Sequence, residues 1–170
     1  TVTEMIADIN NTVVGISKVK NNGNSIFSDE NINNLGLGTG LIVGENGYIL
    51  TNAHVSGEKY SKCYITLADG KTYDGNVVWS NNDIDMSIVK INQKNLQVAT
   101  LGSSDDIKVG ETVYAIGNPI GFEFQRTVTS GIISATNRTI KFEENEQETY
   151  MEDLIQTDAT INPGNSGGPL

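Results

Sequence analysis

Apolar and polar positions alternate along most of this chain in short runs separated by Gly, Asn and Asp, a pattern of strands joined by tight turns. The exception is at the start. In "TVTEMIADINN" (1–11), Met5, Ile6 and Ile9 fall roughly on one helical face, and Thr3 is the expected cap. "TVVGISKVK" (12–20) reads as a strand and "NNGNSIFSDENINN" (21–34) as a polar loop. "TGLIVGENGYILTNAHV" (39–55) holds two strands around Glu45-Asn46-Gly47, and Asn-Gly is a strong hairpin signal. "KCYITLADGKTYDGNVVWS" (62–80) repeats the form, with Asp69-Gly70 at the turn. Strand signals follow at 86–91, 110–119, 126–138 and 154–159, whereas the acidic "KFEENEQETYME" (141–152) reads as a solvated loop. "GLGTG" (36–40) lacks the third Gly of a dinucleotide fingerprint, leads into no helix, and also reads as a loop. Many short strands with little helix predict an all-β antiparallel barrel or sandwich. A weak boundary near 95–105 divides it into two β units, 1–97 and 98–170.

Composition narrows the chemistry. The chain of 170 residues can bury a real core, and its net charge of −10 argues against nucleic acid and anionic membrane surfaces as partners. No apolar run approaches the roughly 20 residues of a membrane span. The lone Cys63 excludes an intrachain disulfide and is expected to act as a small buried hydrophobe. One His and one Cys give no basis for a transition-metal site, so no metal and no cofactor are expected.

"GNSGG" (164–168), within "QTDATINPGNSGGPL" (156–170), fits G-x-S-x-G. Alone the match is weak, because a Gly-rich turn gives the same letters. Its functional reading is physical. A nucleophilic Ser must sit on a tight turn with its hydroxyl exposed and neighbouring N–H groups aimed at a developing oxyanion, and glycines permit that backbone. Ser is inert without a base, and His54 is the only histidine. Chain order then discriminates. The α/β-hydrolase order, Ser-acid-His, is excluded. The subtilisin order, acid-His-Ser, needs Asp8 or Asp29, which sit in a helix and a polar loop. The chymotrypsin order, His-Asp-Ser, needs an Asp between the two. Asp85 in "NDIDMSIVKI" opens a buried strand and is preferred. Asp83 could face the same side of an extended chain. Asp69 and Asp74 lie in turn contexts, Asp105 and Asp106 in a polar loop, and Asp158 suits a structural hydrogen bond. His54 itself is delivered by a strand to a short turn.

At this point the chain resembles the HtrA/Deg family, trypsin-like serine proteases of bacteria and organelles. The matching stretches are "GTGLIVGENGYILTNAHV", "DIDMSIVKI", "LGSSDDIKVGETVYAIGNPIGFEFQRTVTSGIISATNR" and "LIQTDATINPGNSGGPL", covering most of residues 38–170. The resemblance implies a chymotrypsin/trypsin-like pair of perpendicular six-stranded β-barrels, with the site in the cleft between them. It implies His54 as general base, Asp85 as the group that orients it, and Ser166 as nucleophile. The oxyanion hole falls at Gly164, Asn165 and Ser166, with N–H groups from the first and last and Asn165 shaping the turn. The substrate pocket falls at Thr160, Ile161 and Asn162. Thr160 stands where trypsins carry an acid, which argues against Lys/Arg specificity, and the resemblance implies small or medium aliphatic residues before the cut.

The same resemblance implies a serine endopeptidase of protein quality control acting on unfolded proteins or peptides. Asn165 replaces the Asp that serves zymogen activation in digestive trypsins. Control is instead expected from loops at 21–38, 120–126 and 138–153. Relatives form homotrimers through the N-terminal segment, work outside the cytoplasm (secreted, periplasmic or membrane-tethered) and usually carry a PDZ domain. Leu170 falls within the first strand after the nucleophile, so the second barrel is expected to be incomplete at the C-terminus of these residues and the piece alone a poor enzyme. The rival reading is a non-catalytic, chaperone-like binder of unfolded chains on the same barrels.

Overall fold

The computed structural model describes residues 1–19, 35–117, 126–144 and 147–170. Helix α1 (Val2–Asn10) is capped by Thr1 rather than Thr3. The Thr1 hydroxyl accepts from the Glu4 N–H at 3.3 Å while the Glu4 side chain reaches back to the Thr1 backbone. Such a reciprocal box needs an acid or amide three residues after the cap. Thr3 has Ile6 there, and Thr1 has Glu4.

Strands β1 (Val13–Val19), β2 (Leu35–Gly44), β3 (Tyr48–Thr51), β4 (Lys62–Thr66), β5 (Thr72–Asn81) and β6 (Met86–Ile91) close into a barrel in the order β1-β2-β3-β6-β5-β4. Side chains alternate across each strand, so every second apolar residue points inward. Val14, Ile16, Ile42, Ile49, Ile65, Val77, Val89 and Ile91 fill the interior, with Cys63 among them as expected. Gly47, at φ +92, turns β2 into β3. Asp69 and Gly70 turn β4 into β5, where Asp69 Oδ1 accepts from the Lys71 N–H at 2.9 Å. Asp74 is not in a turn: it lies within β5, opposite Tyr64.

"GLGTG" is likewise not a loop. It is part of β2, and Gly36, Gly38, Thr39 and Gly40 all pair with β1. The glycines answer a packing demand. A Cβ at Gly40 would lie 2.7 Å from Ile49 Cγ2 and 2.9 Å from Ile16 Cδ1, and one at Gly38 would run into Val55.

Strands β7 (Thr112–Gly117), β8 (Thr127–Glu144) and β9 (Gln147–Thr157) form an open sheet in that order. Within the stretch 141–152, residues 141–144 and 147–152 are therefore strand rather than loop, and 145–146 lie outside the described residues. β8 and β9 run through it as one hairpin, with Ile140 opposite Met151, Lys141 opposite Tyr150 and Phe142 opposite Thr149. A Lys141–Glu148 ion pair crosses it. Glu and Lys have weak strand propensity, but a backbone ladder with favourable cross-strand pairs overrides it. Of the loops expected to exert control, 35–38 belongs to β2, and 138–144 and 147–153 to this hairpin, while 21–34, 120–125 and 145–146 lie outside the described residues. The architecture is one closed barrel and a partial second sheet, a trypsin-like double barrel whose second half is incomplete over residues 1–170. Arg126, at the entry to β8, donates to the Ala68 carbonyl at 2.7 Å and so ties the sheet to the β4–β5 turn.

Candidate active site

His54 rides on a single helical turn, α2 (Ala53–Ser56), rather than on a simple bend. Asn52 begins it in extended backbone, and Gly57 ends it at φ +98. Ala53, Val55 and Ser56 face the barrel and are buried, which leaves His54 on the outer side with its side chain 59% exposed. Ser56 Oγ and Ser87 Oγ, both fully buried, meet at 2.6 Å and fasten the turn to β6.

Asp85 is gripped from the same turn. Its Oδ2 lies 2.6 Å from His54 Nδ1, and its Oδ1 accepts from the His54 backbone N–H at 2.9 Å. The Asn52 side-chain amide donates to the Asp85 carbonyl at 2.7 Å. Asp85 adopts φ +50, a left-handed conformation that a non-glycine residue holds only when its surroundings fix it. Three hydrogen bonds from Asn52 and His54 supply that constraint. Asp83 does not reach the histidine: the chain there is bent, and the Asp83 N–H donates to Asn81 Oδ1 at 2.9 Å. An extended chain would have put both carboxylates on one side; the turn before β6 separates them.

Ser166 sits in the loop after β9, half-buried. Gly164 (φ +102) and Gly167 (φ +86) bracket it in backbone that disfavours side chains. The Asn165 N–H donates to the Asn162 carbonyl at 3.0 Å, and the Asn165 carbonyl accepts from Gly168 at 2.9 Å. Asn165 is buried over Gly117, its Oδ1 lacking a hydrogen-bond partner among the described residues. Among the described residues, the N–H groups of Gly164 and Ser166 donate to no other group, and no hydrogen bond joins Ser166 Oγ to His54. The loop nevertheless docks on the barrel that carries the histidine. Gly167 packs on Thr39 and Thr51, and Thr51 stands three residues before His54.

Thr160 and Ile161 are exposed just before this loop; the Thr160 carbonyl accepts from Thr129 Oγ1 at 2.8 Å. Asn162 lends its carbonyl to the turn. Asp158 has the structural bond expected of it, Oδ1 accepting from the Ile132 N–H at 2.7 Å. Asn52, Thr39 and Thr51 were not singled out by sequence. Asn52 was visible in "TNAHV", but nothing in the letters shows that its amide reaches across to Asp85.

The trypsin-like peptidase domain family matches residues 38–170. A probable periplasmic serine endoprotease, DegP-like, of Halomonas elongata is 46% identical over 134 residues, which cover 79% of this chain and 26% of the relative. The serine protease Do-like HtrB of Bacillus subtilis is 41% identical over 177 residues, covering 99% of this chain and 38% of the relative. Among solved structures, the HtrA-type protease AlgW with a tripeptide superposes with a TM-score of 0.78 at 36% identity, over 99% of this chain and 49% of that one. The chain thus spans from a quarter to half the length of these relatives. With six strands closed around one core, a histidine–aspartate pair on its rim and a glycine-framed serine docked against it, the chain belongs to the trypsin-like peptidase family, among the HtrA/Deg serine proteases.

Proposed function

We propose that residues 1–170 carry the catalytic residues of a serine endopeptidase, with base and acid in 1–97 and the nucleophile in 98–170. The observation that carries this reading is the bidentate hold of Asp85 on His54. One carboxylate oxygen takes the backbone N–H and the other sits on Nδ1, so the imidazole is oriented with Nε2 left for a substrate-side proton. In the reaction, Ser166 Oγ attacks the peptide carbonyl and His54 takes its proton. The N–H groups of Gly164 and Ser166 receive the oxyanion. His54 then protonates the leaving amine, and water releases the acyl group by the same route.

Thr160, Ile161 and Asn162 are the proposed pocket wall. An uncharged Thr160 and the apolar Ile161 fit an aliphatic side chain before the cut better than Lys or Arg. Unfolded proteins or peptides are the proposed substrates, in keeping with AlgW structures that hold a tripeptide and a decapeptide. An extracytoplasmic site of action follows the relatives named periplasmic. Homotrimer formation through α1, in which no residue is buried, and a membrane tether outside residues 1–170 complete the reading. The relatives named as serine proteases favour this reading over a non-catalytic binder.

The test is intact-mass analysis after treatment with a small organophosphonate, with Ser166→Ala as control. One adduct, absent from the control, is expected. An adduct that persists in Ser166→Ala would refute the assignment of Ser166.

A further inference from the structure

We infer that Thr39 is a positioning residue for the nucleophile, acting through Gly164 and Ser166, and that Thr51 holds Thr39 in place. This inference rests on the reading of Ser166 as nucleophile.

Thr39 is fully buried in β2, on the barrel that carries His54 and Asp85. Its backbone N–H donates to the Ser166 carbonyl at 2.8 Å, and its Oγ1 donates to the Gly164 carbonyl at 2.7 Å. One residue thus pins the two carbonyls on either side of Asn165. Fixing the carbonyls at both ends of this stretch fixes the peptide planes between them. It also limits rotation at Gly164, whose φ of +102 and missing side chain would otherwise let that peptide turn. The proposed oxyanion donors are the N–H groups of these same two residues.

Behind Thr39 stands Thr51, also buried, whose Oγ1 donates to the Thr39 carbonyl at 2.7 Å. Thr51 closes β3 and leads directly into Asn52 and His54. A continuous buried path therefore runs from the strand that delivers the base, through two hydroxyls, to the loop that carries the nucleophile. Gly167 leaves it room, since a Cβ there would collide with both the Thr39 carbonyl and Thr51 Oγ1. Buried hydroxyls must be satisfied or they cost stability. A core needing only shape at position 39 would be served by Val, so the hydroxyl is explained by the bond it makes to Gly164.

The test uses Thr39→Val, which keeps the shape and the backbone bond and removes only the hydroxyl, and Thr39→Ser, which restores it. Both are made in the full chain. The readouts are the rate of phosphonylation per folded molecule, kcat and KM on a peptide substrate, and the melting temperature. The expected result for Thr39→Val is a loss of about 10- to 100-fold in phosphonylation rate and kcat with KM little changed, as a misplacement of about 1 Å produces. Thr39→Ser recovers most of both. Equal rates for Thr39→Val and wild type at equal folded fraction would overturn the inference, as would a loss that Thr39→Ser does not recover. Should Thr39→Val fail to fold, Thr51→Val and Thr51→Ser take its place. A smaller loss, recovered by Ser, supports the path, and no loss removes it. A wild-type chain that neither turns over nor labels would instead refute the reading of Ser166, so the two failures are distinct.

Discussion

The barrel β1–β6 and the sheet β7–β9 meet the same demand, holding the proposed catalytic side chains in place, by different physical means. The barrel closes on itself, and its interior residues Ile49, Ile65 and Val89 have no exposed surface. His54 and Asp85 sit on its rim, tied to it by Ser56, Ser87 and Asn52. The sheet is open, and its long hairpin leaves Ile140, Phe142 and Tyr150 about half exposed. Ser166 borrows rigidity from its neighbour: Thr39 holds Gly164 and Ser166, and the Pro169 carbonyl accepts from Ile116 of β7 at 3.1 Å. A closed barrel fixes a site by its own packing, whereas an open sheet fixes one by docking against something already rigid.

The comparison breaks most sharply at the nucleophile. Ser166→Ala is expected to lower turnover of an unfolded protein substrate by about 10⁶-fold, because base and acid have nothing to activate without the hydroxyl. Turnover that survives this change would show that the sheet contributes no chemistry. Asp85→Asn follows, with a loss of about 10⁴-fold, since an amide cannot hold the imidazole in the required tautomer. Asp83→Asn serves as its partner experiment. Its carboxylate makes no contact with His54, so kcat close to wild type is expected. Equal losses at both positions would dissolve the distinction that the left-handed Asp85 draws.

Smaller, and read on stability rather than rate, is a pair of truncations. Ile49→Ala empties a fully buried site in the barrel and is expected to cost about 2–5 kcal/mol in denaturant unfolding. Ile140→Ala, on the half-exposed hairpin, is expected to fall within about 0.5 kcal/mol of wild type. Similar costs at the two positions would mean that the hairpin is covered by something that buries it.

The barrel was more legible in the sequence than the sheet, and the reason is local. Its strands alternate cleanly, and Asn46-Gly47 and Asp69-Gly70 mark their turns. Only the outer part of the β8–β9 hairpin, within 141–152, was hidden, because glutamates crowd it and its strand character comes from cross-strand pairing rather than from any single stretch. The triad candidates could be read because one histidine and one G-x-S-x-G leave few arrangements. Thr39 was missed for the opposite reason. "GLGTG" has the letters of a loop, while its glycines exist to let Val55, Ile49 and Ile16 approach the barrel wall. A packing requirement and a turn requirement select the same residue, and only the fold separates them. Asp85 was favoured over Asp83 on burial of the following strand, but what decides between them is the Asn52 amide, a partner 33 positions away.

The smallest effect belongs to Cys63, which reports on the barrel alone. It lies in the core beside Ile65 and Val89, and burial pushes its thiol up to about 11, with the Lys18 charge offsetting a little of that. At pH 8 the folded chain therefore presents almost no thiolate, and iodoacetamide is expected to leave native Cys63 unmodified and to add one label once the chain unfolds. Below the ordinary thiol pKa, about 8.5, both states are protonated and the contribution is intact. Above it the unfolded chain loses its proton while the folded chain keeps it, so stability falls as pH rises toward 11 and levels off beyond. Cys63→Ala removes this term, and the stability gap between the two proteins should narrow between pH 8 and 11. Cleavage within residues 140–151 by an added protease reads opening of the hairpin on the same sample. Hairpin cleavage well before Cys63 becomes reactive is the outcome that separates a self-supporting barrel from a sheet that leans on it; simultaneous exposure of both would make them one cooperative unit.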